Sequence, residues 1–138
     1  MKITVIVVGK LKSQFKELDD FYQKRIKNYS AVDVIELKEK GNVALETEAI
    51  IKSIPSGSFL VALREKGESM DSMEFSKLLA THANITFVVG GAYGFDSVNE
   101  DFALSIAPWT LPHQLARVVL LEQIYRGYSI INGSGYHH

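Results

Sequence analysis

The chain of 138 residues contains no cysteine, and this absence excludes several kinds of chemistry at once. It leaves no disulfide, no thiol nucleophile and no thiolate metal ligand, and such a composition fits a reducing cytoplasm. The four histidines have no carboxylate neighbours at ligand spacing, so no metal is expected. No apolar run reaches the roughly 18 residues of a membrane helix, and residues 3–8 are too few for a signal peptide core. We predict a cytoplasmic protein without a membrane segment.

The chain also lacks an excess of charge of either sign. Its formal net charge is −1, whereas proteins that bind nucleic acid through bulk electrostatics are strongly basic. The charge is nevertheless uneven, because the first forty residues hold nine Lys or Arg against six Asp or Glu. Binding to RNA therefore requires a local basic patch, a dimer that concentrates one, or a large partner that supplies other contacts.

The order of periodic segments predicts the fold. Apolar β-branched runs indicate buried strands, and apolar residues spaced by three and four indicate helices. Strands are expected at residues 3–8, 32–37, 58–63, 85–89 and 103–107, and helices at 15–29, 43–54, 71–82 and 112–130. This alternation predicts one α/β domain over residues 1–138, a parallel sheet with helices on both faces. Ser97 with Glu100 looks like a capping box and predicts a further, very short helix.

Polar and aromatic side chains crowd into the last segment, residues 105–138. A helix that begins near Pro112 carries Arg117, Glu122 and Arg126, and the chain ends on aromatic and imidazole side chains. A glycine-rich run at 132–135 tethers this end, and a terminus tethered in this way is expected to add little to a packed core. Such crowding of cations, rings and imidazoles is more typical of a polar site than of a folding element.

Three stretches of the chain resemble the SPOUT-class methyltransferases that act on a pseudouridine of large-subunit (23S) ribosomal RNA. The tail pattern of that family is TLPH-x-x-x-R, then EQ-x-YR, then YH. The matching residues are Thr110-Leu111-Pro112-His113, Arg117, Glu122-Gln123, Tyr125-Arg126 and Tyr136-His137, together with a glycine turn at 88–94 and the opening at 1–10. The resemblance covers nearly the whole chain, and the tail is its most specific part.

The resemblance implies a fold, a cofactor and a substrate. It implies a SPOUT-like fold with a trefoil knot in the C-terminal half, a homodimer, and methyl transfer from S-adenosylmethionine (AdoMet). The implied target is N3 of a pseudouridine in helix 69 of the large-subunit rRNA, within the assembled ribosome. The implied cofactor-binding residues are Leu63, Gly90, Ile106, Ala107, Pro108, Trp109, Thr110 and Leu111, of which the last six would wrap adenine and methionine with main-chain groups.

By residue type alone, parts of this pocket also have ordinary structural interpretations. The turn at 90–94 does not match the dinucleotide pattern G-x-G-x-x-G, and glycine turns are common where a strand ends. Glycine there lets the backbone approach a ligand closely. Trp109 is more typical of a core residue than of a base-stacking one, because of the area that a tryptophan buries. His113 is more typical of a cap or a pocket wall than of a base.

Four residues are candidates for catalysis: Arg117, Arg126, Tyr136 and His137. Glu122 lies four residues before Arg126, so a helical ion pair explains that arginine equally well. Arg117 has no acid four residues on and is the preferred cation for a phosphate or a developing anion. Tyr136 is expected to pack on cofactor or nucleobase. Either His137 or water is expected to accept the N3 proton, and His137 has phosphate binding as its alternative.

A few positions depart from the family pattern, and two other functions stay open. An acid usually follows the leucine of the third strand, whereas here Arg64 stands before Glu65, and His138 stands where Lys or Arg is usual. The stretch at 38–58 is also short. One alternative function is a non-catalytic nucleotide-binding module that uses the glycine turn without the tail. The other is a ribosome-binding protein whose tail only contacts phosphates.

Overall fold

The structure is a computed structural model that describes residues 1–138. It has five strands and four helices. The strands are β1 (Lys2–Val8), β2 (Ala31–Leu37), β3 (Phe59–Ser69), β4 (Asn84–Val89) and β5 (Phe102–Ser105), and the helices are α1 (Ser13–Ile26), α2 (Val43–Ser53), α3 (Ser72–Thr81) and α4 (His113–Asn132). Helix α3 opens with the capping box that Asp71 and Glu74 predict.

All five strands are parallel, in the order β2-β1-β4-β3-β5. The prediction of a parallel sheet is therefore confirmed. The central strands β1 and β4 are the apolar, β-branched runs of the sequence, which suits strands that are covered on both faces. Because the strands are parallel, their carboxyl ends meet at one edge of the sheet, and the loops at this edge lie close together.

Helices cover both faces of the sheet, as predicted. Successive residues of a strand point to opposite faces, and Val5 packs in a core cluster with Ile124 of α4, whereas Ile6 packs in a second cluster with Ile50 of α2. Helices α1, α3 and α4 cover the first face, and α2 covers the second. The result is a single-domain α/β/α sandwich.

The very short helix predicted at residues 97–100 does not form. The Glu100 carboxylate accepts hydrogen bonds from the Arg64 guanidinium and from the Val98 N–H instead of capping a helix. Asn99 adopts a left-handed conformation with φ of 56°, which a right-handed helix does not contain. Strand β4 is therefore joined to β5 by an irregular loop, with no helix between them.

The carboxyl end of β3 and the C-terminal tail also differ from expectation. Strand β3 continues six residues past the predicted end and pairs again with β5 at Ser69, after an irregularity between Leu63 and Glu68. Helix α4 ends at Gly133, whose φ of 65° suits a glycine cap. The tail then turns back, and the Tyr136 ring packs 4.6 Å from that of Tyr125, between centroids. The expectation that the tail adds little to packing is therefore wrong, and the knot stays a prediction.

Candidate active site

A cleft of about 900 Å³ opens at the edge where the carboxyl ends of the strands meet. The loops after β4 and β5, the end of β3 and the start of α4 form its walls. Of the eight predicted cofactor-binding residues, seven line this cleft: Leu63, Gly90, Ile106, Ala107, Trp109, Thr110 and Leu111. Pro108 is exposed and does not line it. In open parallel sheets, a crevice at this edge is the usual place for a nucleotide-like ligand.

The glycine turn after β4 forms one wall of the cleft. Gly94 donates its N–H to the Gly91 carbonyl at 3.1 Å, and its φ of 78° suits glycine. Glycine at position 90 also has a reason inside the protein. A Cβ there would lie 2.6 Å from the Phe95 ring, so close packing by itself requires glycine at this position.

The segment after β5 forms the facing wall, and its main chain is largely unpaired. The N–H groups of Ala107, Trp109, Thr110 and Leu111 donate to no acceptor in the protein. The Ser105 hydroxyl donates to the Ala107 carbonyl at 2.9 Å and holds the segment at its start. Free main-chain donors beside apolar side chains suit a ligand that carries an aromatic heterocycle and a carboxylate.

His113 adds an unpaired polar atom at the floor of the cleft. Its Nε2 is buried and has no hydrogen-bond partner, which is rare in folded proteins. The next residue, Gln114, is fixed to the loop after β1: it accepts from the Lys12 N–H at 2.7 Å and donates to the Lys10 carbonyl at 3.3 Å. The floor of the cleft therefore rests on the amino-terminal part of the chain.

Arg64, which departs from the family pattern, holds the loop below the glycine turn. Its guanidinium donates to Glu100 at 2.8 Å and to the Asp96 carbonyl at 2.8 Å, and also to the Phe95 carbonyl. It lies 3.9 Å above the Phe95 ring, the same ring that packs under Gly90. The hydrogen bond from Arg64 lowers the pKa of the Glu100 carboxyl. The sequence gives no signal of this contact, because its partners lie more than thirty positions away.

Arg117 is buried and paired, contrary to the expectation that it has no acidic partner. It donates to Asp19 at 2.8 and 3.1 Å and to Glu36 at 2.6 Å, and its side chain is 7% exposed. Burial by itself would lower the pKa of Arg117, but its hydrogen bonds to the two carboxylates outweigh this effect, and the pKa is raised. This guanidinium joins α4 to α1 and β2, so it is not open to a phosphate in this structure.

Arg126, Tyr136 and His137 lie together, around the Glu122 carboxylate. Arg126 and Tyr136 both donate to Glu122, at 2.9 and 2.8 Å, and Arg126 also donates to the His137 Nδ1 at 3.0 Å. Hydrogen bonding to Glu122 raises the pKa of Arg126. Burial, followed by the bond to Glu122, raises the pKa of Tyr136, which keeps its phenol protonated. The helical pair predicted between Glu122 and Arg126 is thus present, with the tail built onto it.

The tail cluster and the cleft lie apart within one chain. Arg126 follows His113 by thirteen residues on one continuous helix, a separation of about 20 Å along the axis. Helix α4 is therefore the spacer between the two groups of predicted site residues. No group of three or more His, Cys, Asp or Glu residues is placed to hold a metal, and none of the helices is long and apolar enough to cross a membrane.

Comparison with known proteins identifies the class to which the chain belongs. The family described as "Predicted SPOUT methyltransferase" matches residues 1–137. A protein of Mycoplasmopsis synoviae named "Ribosomal RNA large subunit methyltransferase H" is 43% identical, over 99% of both chains. Proteins with the same name from Acetivibrio thermocellus and Geotalea daltonii are each 38% identical, over 99% and 100% of both chains respectively.

The chain belongs to the SPOUT methyltransferase family, as its motifs predict, and it is an enzyme that transfers a methyl group. The family implies a methyl donor of the AdoMet type. The donor-rich segment at 106–111, the apolar walls and the unpaired His113 nitrogen fit such a molecule, since they offer main-chain bonds for an adenine and contacts for its ring.

Proposed function

We propose that this protein methylates N3 of a pseudouridine in helix 69 of large-subunit ribosomal RNA, within the assembled ribosome, with AdoMet as donor. The observation that carries the proposal is the cleft at the carboxyl edge, with its unpaired main-chain donors, in a chain of this family. The names of the full-length relatives support rRNA as the substrate. The pseudouridine and helix 69 rest on the motif resemblance. Such a substrate places the reaction in the cytoplasm.

We keep the cofactor-binding residues proposed from the sequence, and the structure suggests a different role for each group of them. Leu63 and Ile106 supply apolar wall, and the main chain of Ala107, Trp109, Thr110 and Leu111 supplies donors. Gly90 lets Phe95 pack beneath the turn, and Pro108 shapes the segment without lining the cleft. When bound, AdoMet supplies an electrophilic methyl group on a sulfonium sulfur. The protein's contribution is to hold this group in line with the ring nitrogen.

The pseudouridine nitrogen must lose its proton as the N–methyl bond forms, because a protonated imide nitrogen has no free lone pair. A guanidinium can only donate, so in its contact with Arg126 the His137 Nδ1 is the acceptor, and the ring N–H is at Nε2. His137 is therefore arranged to donate to a uracil oxygen, beside the charge of Arg126, and both stabilise the anion that develops. The sequence leaves His137 and water as alternative acceptors of the N3 proton, and this geometry favours water.

The separation of the two clusters supports a homodimer with shared sites. Along α4, Glu122 and Arg126 lie about 9 and about 15 Å beyond Ala116, the last residue of the helix that lines the cleft. Arg126, Tyr136 and His137 are therefore proposed to complete the cleft of a second copy and not their own. Leu115 and Val119 of α4 are half-buried and belong to neither core cluster. They share a helix face with Glu122 and Arg126, and this apolar stripe is the proposed contact between copies.

Unpaired lysines beside the cleft support RNA as the substrate. Lys10, Lys12 and Lys16 follow β1, and Lys38 and Lys40 follow β2, at the same edge of the sheet as the cleft. All five are exposed and none forms a salt bridge. A patch of this kind attracts phosphates even though the whole chain is nearly neutral. A second copy brings a second patch, so a dimer would concentrate the local basic charge that a nearly neutral chain needs to bind RNA.

We also keep the proposal of a trefoil knot in the C-terminal half, on the basis of family membership. The path of the chain is compatible with it. After β5, at the edge of the sheet, the chain passes through the segment that faces the glycine turn and enters α4, which packs between α1 and α3.

The test is methyl transfer to ribosomes from a strain that lacks this modification. The protein is incubated with labelled AdoMet and with 70S ribosomes, separate subunits or deproteinised rRNA, and the labelled nucleotide is mapped. The proposal expects label at one pseudouridine of helix 69, with 70S ribosomes only. Binding of AdoMet without any transfer would instead support the nucleotide-binding module, and ribosome binding without AdoMet affinity would support the ribosome-binding protein.

A further inference from the structure

Two aromatic side chains stand exposed at the mouth of the cleft. Tyr93 is 87% exposed and Trp109 is 82% exposed. Both line the cleft, and neither packs against another aromatic ring of the chain. The expectation that Trp109 is a core residue is therefore wrong. Large apolar side chains that are this exposed beside a functional cleft indicate a surface that binds a partner.

The loops that carry the two rings begin on either side of β3. Tyr93 is in the turn after β4, Trp109 is in the segment after β5, and β3 lies between these strands. Neighbouring strands are about 4.8 Å apart, so the two loops begin about 10 Å apart. A planar base stacked between two rings requires about 7 Å from ring to ring, since each contact is about 3.5 Å. Small movements of the two exposed side chains allow such a sandwich.

The position of the rings favours the RNA over the cofactor as their partner. The inner walls of the cleft consist of Leu63, Leu104 and Ile106, which are far less exposed than the two rings, and the free main-chain donors lie beside them. A cofactor held by these groups fills the inner part and leaves the rings at the rim. The next molecule to arrive meets the rings first, and single-stranded or extruded bases are commonly bound by stacking on aromatic side chains.

We propose that the side chains of Tyr93 and Trp109 stack on a nucleobase of the RNA substrate at the mouth of the methyl-donor cleft. This inference rests on the proposed function and adds to it the residues that position the base. The rings are positioning residues, which hold a base over the cleft while the main chain of the same loops holds the cofactor. The unpaired lysines beside the cleft would bind the phosphates of that strand.

The test compares steady-state methyl transfer to 70S ribosomes by Trp109→Ala, Trp109→Phe, Tyr93→Ala and Tyr93→Phe. Each alanine variant should raise the KM for ribosomes about tenfold, within the range for loss of one stacked base, and each phenylalanine variant should restore most of it. The AdoMet Kd, measured by calorimetry, should stay within about twofold, because the proposed contacts of these loops with the cofactor are made by the main chain. The control is Ile51→Ala, which trims an exposed apolar side chain on α2, away from the cleft.

Other outcomes would overturn the inference. A weakened AdoMet Kd with an unchanged KM for ribosomes would mean that the rings stack on the cofactor. Dissociation of the alanine variants to monomers in sedimentation would mean that the rings pack against a second copy. Unchanged kinetics in all four variants, with wild-type transfer intact, removes the stacking role and leaves the proposed function standing. Absence of transfer by the wild-type protein overturns both.

Discussion

At the scale of single residues, the arginines show which ion pairs can be predicted from sequence spacing and which cannot. Glu122 and Arg126 lie four positions apart, and their ion pair follows from helix geometry. The partners of Arg117 are 98 and 81 positions away, and those of Arg64 are a similarly non-local set. The absence of a nearby acid therefore says nothing about whether an arginine is free. For Arg117, this led to a wrong expectation.

Arg117→Ala should lower the free energy of unfolding by about 3–5 kcal/mol, because it leaves Asp19 buried without a partner. Urea denaturation measures the change. The matched control is Lys52→Ala, which removes an exposed helical pair and should cost no more than about 0.5 kcal/mol. A stable Arg117→Ala protein that binds AdoMet but no longer transfers methyl groups would instead return Arg117 to a catalytic role.

The contact between Arg64 and Glu100 predicts a dependence of stability on pH. The pKa of Glu100 is lowered below its ordinary value of 4.5 in the folded protein, so the ionised carboxylate stabilises the fold above that value and the contribution is lost as the pH falls below it. Glu100→Gln should therefore be less stable than wild type at pH 7, and the difference should shrink towards pH 3. Urea unfolding at the two pH values measures it. A difference that stays constant with pH would contradict the assignment.

At the scale of elements, the alternation of strands and helices and the parallel sheet are predictable because periodicity is a local property of the sequence. The ends of the strands are less predictable. Strand β3 is prolonged by a second pairing with β5, which exists only once both strands lie side by side in the fold. Of the eight cofactor-binding residues that the motif resemblance implies, all but Pro108 line the cleft. The docking of the tail is missed, because a glycine-rich run appears flexible until Tyr136 has Tyr125 and Glu122 to contact.

The docked tail allows catalysis to be separated from packing. His137→Ala removes the imidazole held by Arg126 and should reduce methyl transfer to ribosomes at least about tenfold, with the free energy of unfolding within about 1 kcal/mol of wild type. AdoMet affinity should fall less than turnover. His138→Ala is the matched control, because this exposed neighbour makes no hydrogen bond and should be active. Normal transfer by His137→Ala would remove the tail from the mechanism.

At the scale of the whole molecule, the length of α4 decides how a site can be built. The helix keeps the cleft and the tail cluster of one chain apart, and a half-buried apolar stripe runs between them. In the proposed homodimer, each chain supplies the cleft of one site and the tail of the other, so we expect activity only when two copies pair. The sequence contains both halves, but the distance between them appears only in the structure.

Mixing two inactive variants tests this arrangement. Leu111→Glu places a charge in the cleft wall, and His137→Ala removes a tail group, so each variant alone should transfer poorly. In an equimolar, co-refolded mixture, half of the dimers are mixed and each of these has one intact site, so about a quarter of the wild-type activity should return. Sedimentation confirms the dimer. A mixture no more active than the two variants separately would show that sites are not shared.

The hydrogen bonds of Gln114 with the main chain of Lys10 and Lys12, and the ion pair between Arg117 and Asp19, have a consequence for synthesis of the chain. They join the first twenty residues to α4, so the floor of the cleft closes only after this helix has been made. Contacts of such high sequence separation form late and slowly in folding. During translation, the floor of the cleft therefore stays open until α4 has left the ribosome, and we expect methyl-transfer activity only after that point.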